Sequence, residues 1–127
     1  MNGKERLKKA RNILLKLHKL LIDRERRAYE ETNGAVGGAE LVNLLIGDPS
    51  FGWLRRFSTL IVEIDEMFDQ KDGIEPSRVD ELLVKVRNLI EMKGVNDDSQ
   101  TKYQEALRTD INLADLQKEV NDAVNSI

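Results

Sequence analysis

The first 32 residues contain no proline and a single glycine, Gly3, while apolar residues return every three or four positions at Leu7, Ala10, Ile13, Leu14, Leu17, Leu20, Leu21 and Ala28. That spacing is the α-helical period, and nothing in the stretch interrupts it. It predicts one long helix with Lys8, Lys9, Lys16, Lys19, Arg26 and Arg27 on its outer face. Arg11, His18 and Glu25 fall at the edge of its apolar arc. Asn33-Gly34 ends the helix because both residues tolerate the left-handed conformation, and Gly37-Gly38 extends the break.

The rest of the chain repeats this helical period in shorter pieces. Ala39 to Ile46 is apolar nearly all round except for Glu40 and Asn43, which predicts a two-turn helix plugged into the core. Gly47-Asp48-Pro49-Ser50 breaks the chain, and Asp48 or Ser50 can cap the next helix. The set Trp53, Leu54, Phe57, Leu60, Ile61, Ile64, Met67 and Phe68 marks Phe51 to Phe68 as the most buried helix. Ser58 and Asp65 project from its apolar arc, whereas Arg55, Arg56, Thr59, Glu63 and Glu66 take the wet side. Pro76 suits a first helical turn, and Val79, Leu82, Leu83, Val86, Leu89 and Ile90 carry a helix to about Met92. Val95 to Thr101 is the most polar stretch and is expected to be the most mobile. A short helix with Tyr103, Ala106 and Leu107 and a last one from about Leu113, capped by Asn112 or Asp110, complete the chain. No run of alternating β-branched residues and no internal repeat is present. The chain reads as a single all-α domain, residues 1–127, a bundle of about four main helices with one or two short connecting ones. The Trp53 to Phe68 helix is expected at its centre, with the first helix packed along it.

Composition removes several chemistries. Without cysteine there is no disulfide, thiolate metal site or cysteine nucleophile, and one histidine cannot build a two-histidine metal site within the chain. Phosphate-cradling glycine loops, nucleophile elbows and HExxH are absent, so no catalytic residue, cofactor or metal is assigned. No stretch has the length of a membrane span or the shape of a secretory signal, which sets the expectation of a cytoplasmic protein with no membrane partner.

Charge is polarised. Residues 1 to 27 carry ten Lys or Arg against Glu5, Asp23 and Glu25, and the remainder carries ten basic against twenty acidic groups, for a formal net charge of -3. A basic helix docked on acidic neighbours explains this, and phosphate tracking by the same face is a minor alternative.

Two groups of residues are candidates for function. His18, Glu25, Glu40 and Asp65 form a prospective buried polar cluster, with Asp65 expected to pair with His18 or an arginine, because a buried carboxylate needs a cation, donor or metal. Asp48, Phe51, Trp53, Arg55 and Arg56 form the second group, a prospective interaction patch, since aromatics beside arginines favour interfaces.

The strings LHKLLIDRERRAYEE, ELVNLLIGDPSFGWLRRFSTLIVEIDE and KYQEALRTD resemble those of a family of small uncharacterised bacterial proteins. The similarity runs from about Leu14 to Asp110. It is carried by His18, Asp23, Arg27 and Tyr29 together with Asp48-Pro49, Phe51, Trp53-Leu54-Arg55, Ser58 and Ile64-Asp65-Glu66. The resemblance implies a bacterial cytoplasmic helical protein, and it brings no ligand or catalytic residue. The favoured reading is a non-enzymatic interaction or scaffold protein, with a protein partner or self-association. The alternatives are a small-ligand or metal-binding bundle using His18 and Asp65, and a nucleic-acid-binding protein using the basic first helix.

Overall fold

A computed structural model describes residues 2–93 and 98–125. Among these residues six α-helices succeed one another as α1 (Gly3–Asn33), α2 (Gly38–Gly47), α3 (Arg55–Phe68), α4 (Pro76–Ile90), α5 (Ser99–Thr109) and α6 (Ile111–Asn125), with a 3-10 turn at Gly52–Leu54 and no strand. The all-α bundle expected from the periodicity is the architecture that forms. The mobility expected of residues 95–101 falls in part outside the described residues.

α1 is the hub. Asn2 caps its start by accepting the Glu5 amide at 2.9 Å, and Gly34, at a left-handed φ of 83°, closes its end. Leu7, Ala10, Leu14, Leu17 and Leu21 are fully buried, and α1 packs against α6, α3 and α4. Each such leucine withdrawn from water contributes roughly 1.5–3 kcal/mol. The expectation that the Trp53 to Phe68 helix holds the centre is therefore corrected. α3 meets α1, α4 and the 3-10 turn, while α1 packs most extensively, along α6, α3 and α4, because its apolar arc is wide and runs unbroken for longer than any other.

Guanidinium groups tie the ends. Arg6 donates to the carbonyls of Ala123 (3.0 Å) and Val124 (2.5 Å), and Arg87 donates to Val124 as well, so the C-terminus of α6 is closed by side chains from α1 and α4. α6 accordingly runs antiparallel to α1. Its start is capped by Asp110, which accepts the Asn112 amide at 2.9 Å. Gln117 accepts from the Tyr103 hydroxyl and donates to the Ile90 carbonyl, which pins α5 and α4 to α6. Burial pushes the Tyr103 phenol up.

Two segments differ from the sequence expectation. Helix α3 starts at Arg55 rather than at Phe51, because Phe51, Trp53 and Leu54 are all buried and the tighter 3-10 turn directs all three inward. Helix α2 is not plugged into the core. Only Leu44 is buried there, whereas Val42 is 54% and Ile46 69% exposed, since α2 packs on the 3-10 turn at the edge of the bundle. A Leu14→Ala variant is accordingly expected to lose about 2–5 kcal/mol in urea unfolding, and Val84→Ala, at a half-exposed position of α4, to stay within roughly 0.5 kcal/mol of the parent.

Candidate functional site

The four residues expected to form a polar cluster do not meet. Asp65 receives a two-pronged ion pair from Arg11, Nε to Oδ1 at 2.8 Å and a terminal nitrogen to Oδ2 at 3.0 Å, with both side chains half-buried. The hydrogen bond to Asp65 holds the Arg11 guanidinium above its ordinary value. His18 lies seven residues further along α1, about 10 Å of helix rise. Glu25 lies seven further again, half-buried, and Glu40 is exposed on α2. Residues spaced by seven share a face but occupy different turns, and the edge position of α2 leaves Glu40 in water. Among the described residues no group of three His, Asp or Glu side chains is arranged to hold a metal ion.

The prospective aromatic patch also divides. Phe51 and Trp53 are core residues, Phe51 against Tyr29 with ring centroids 6.0 Å apart and Trp53 edge-on to Phe57 at 6.4 Å. Asp48 accepts both the amide (2.8 Å) and the hydroxyl (2.5 Å) of Ser50, which closes the turn after α2 and holds the carboxyl below its ordinary range, the hydroxyl contributing most. Arg55 turns toward α2 and donates to the carbonyls of Leu45 (3.3 Å) and Ile46 (2.6 Å), fastening the C-terminus of that helix. Arg56 is exposed and borders two concavities, one on the α4 side of α3 and one beside Pro49 and Trp53. Of the basic face, Lys8, Lys9, Lys16, Lys19 and Arg27 are exposed. Arg26 is not part of that face: it is half-buried, donates to the Val36 carbonyl and lies 3.9 Å from Glu30, which in turn accepts the Val36 amide at 2.8 Å.

What the fold assembles instead is an apolar crevice between α1, α2 and α3. Phe51 and Leu54 line it together with His18, Ser58, Leu45 and Ile46, enclosing about 420 Å³. The His18 ring stacks on Phe57, centroids 6.3 Å apart and planes within 17°, and burial lowers its pKa. Helices α1 and α3 run antiparallel here, because Arg11 meets Asp65 while His18 meets Phe57. Leu15 lies four residues after Arg11 and three before His18, and Val62 lies four after Ser58 and three before Asp65, so both sit between the ion pair and the crevice. Each is about half exposed. With Ile46 at the crevice and Val42 one turn before it, α1, α2 and α3 each contribute exposed apolar side chains in the neighbourhood of the crevice.

Sequence reasoning did not single out Leu15, Val62, Val42 or Ile46. The available signal for the first two was their position off the apolar stripes of their helices. Val42 and Ile46 carried none, since an all-apolar ten-residue helix reads as core.

No described helix is long and apolar enough to cross a membrane. Comparison with family models, curated proteins and solved structures found no match to this chain.

Two measurements address the polar groups. Replacing Asp65 by Asn is expected to cost less than about 1 kcal/mol in chemical unfolding, because the pair is partly solvated, and to leave metal content unchanged. Because burial disfavours the charged imidazole, the unfolded chain binds a proton at His18 more readily than the folded one. Stability should then be fully present above the ordinary histidine value of about 6.5 and decline as pH falls through it, and His18→Gln should remove that part of the pH dependence.

Proposed function

We propose that this chain is a non-enzymatic interaction protein of the cytoplasm that pairs with a second copy of itself through the strip formed by Val62, Leu15, Ile46 and Val42. The observation that carries the reading is the strip itself: four large aliphatic side chains, each 45% exposed or more, around an apolar crevice.

Charge favours a like partner. The polar groups bordering the strip are already paired within the chain, Arg11 with Asp65 and Arg55 with the carbonyls of α2, so the strip selects no strongly charged partner. At its far end Lys4 and Lys8 stand on α1 and Glu66 and Asp69 at the end of α3, all exposed. A two-fold axis parallel to these antiparallel helices would lay α1 of one copy over α3 of the other, bringing lysines onto carboxylates in both halves at once. The absence of cysteine suits a reducing compartment.

Sedimentation equilibrium at low and high salt tests the reading. The expected result is a dimer that persists at high salt, because the contact is mainly apolar, with Leu15→Glu and Ile46→Asp each monomeric and unchanged in helix content. A monomer at several hundred micromolar, or a dimer indifferent to both substitutions, would overturn it.

A further inference from the structure

The positive charge gathered near the start of the chain is only partly used inside the fold. Docking on neighbouring elements accounts for the half-buried arginines of α1: Arg6 serves the end of α6, Arg11 pairs with Asp65, and Arg26 holds Val36. It does not account for Lys8, Lys9, Lys16 and Lys19. All four are exposed, and among the described residues none of them forms a hydrogen bond or an ion pair. We infer that this face of α1 binds the phosphate backbone of double-stranded nucleic acid, without regard to base sequence.

Placement makes the lysines one surface. They fall within an arc of about 100° on an ideal helix and extend along it for about 16 Å. From Arg6 through Ile22 the helix has no acidic residue, Glu5 and Asp23 being the nearest on either side. On neighbouring α6 the exposed Asp115 and Glu119 make no ion pair with them. Arg27, further along, is not counted, because it borders a concavity that also holds Glu25, Glu31 and Glu105. The four lysines thus keep a local positive excess in a chain whose formal net charge is -3.

The rest of the face selects the partner. No aromatic side chain lies among the lysines, and Leu15, the exposed large apolar residue of α1, stands at the edge turned to the crevice. A protein interface has an apolar centre from which lysine is depleted. A helix lying on a membrane inserts an apolar face, which in α1 is already buried as Leu7, Leu14, Leu17 and Leu21. Single-stranded nucleic acid is held in large part by stacking on aromatic rings. A duplex needs none of these, since its phosphates present about one negative charge per 1.7 Å of axis and attract cations by charge alone. Lysine, a point charge on a flexible stem, suits that use, and contacts to phosphate carry no base information. The inference does not rest on the self-association proposed above, since Lys9 and Lys16 lie on the far side of this face from Leu15.

Fluorescence anisotropy of the full chain with a labelled duplex DNA of about 20 base pairs, in two unrelated sequences, tests the inference. The expected result is that both sequences bind alike, with dissociation constants of roughly 1–100 μM at low salt, and weaken about 50- to 150-fold between roughly 50 and 200 mM salt, as three or four phosphate contacts require. Lys16→Glu and Lys19→Glu should each weaken binding to both sequences equally and lower the salt slope by about one. The milder Lys16→Gln and Lys19→Gln should act in the same direction with the helix content of the parent. Lys93→Glu, the same change of charge at an exposed position just beyond α4, should alter binding by less than about twofold. No binding at low salt with several hundred micromolar protein, an equal loss from Lys93→Glu, or tighter binding to a single strand of the same length or to phosphatidylglycerol vesicles would overturn the inference.

Discussion

The structure depends on α1 remaining a single helix. At 31 residues it spans about 46 Å, roughly twice the length of α3, α4 or α6, which have 14 or 15 residues each. Three shorter helices can therefore cover only part of it. Its buried residues all lie between Leu7 and Leu21, and from Ile22 to Asn33 none is buried. The core is correspondingly placed around the first two-thirds of α1. The remaining third lies at the periphery, with Ile22 and Tyr29 half-buried against the core, Tyr29 meeting Phe51, and Val36 anchored through Arg26 and Glu30. This length mismatch is why α2, the next helix after that third, docks at the edge of the bundle instead of inside it.

A second regularity is the use of arginine to finish backbone ends. Arg6 and Arg87 close α6, Arg55 closes α2, and Arg26 holds the connection between α1 and α2. A planar guanidinium can serve two carbonyls at once, and where the carbonyls come from another element it also fixes how the two elements meet. Part of the positive charge concentrated in residues 1 to 27 is used internally in this way, with Arg11 joining α1 to α3 through Asp65. The lysines of the outer α1 face remain in solvent.

Helix α3 separates two concavities. Ser58, Val62 and Asp65 face the strip shared with α1 and α2, while Arg56, Thr59 and Glu63 face the groove shared with α4. The adjacent Arg55 and Arg56 consequently serve different ends, although Arg55 borders both concavities. The Asp48 to Arg56 string, read as one patch, is better understood as a turn that drives aromatic residues inward and leaves its arginines on the two flanks of a helix.

What the sequence determined by itself is the all-α class, the span of α1, the order of the shorter helices and most of the buried set, because helical period, glycine breaks and caps act over a few residues and are visible along the chain. It also marked Asp65 as a carboxylate in need of a partner, and included an arginine among the partners. It did not select Arg11 over His18, since both lie at the edge of the same arc and only the register of α3 against α1 distinguishes them. It likewise assigned α2 to the core, because ten nearly all-apolar residues look the same whether a neighbour covers them or not. That Val42 and Ile46 remain uncovered was decided by the tertiary packing, because a short set of helices laid on a longer one leaves the helix attached to its end at the edge, while Leu15 and Val62 stay exposed because each lies off the side of its helix that the neighbouring helices cover.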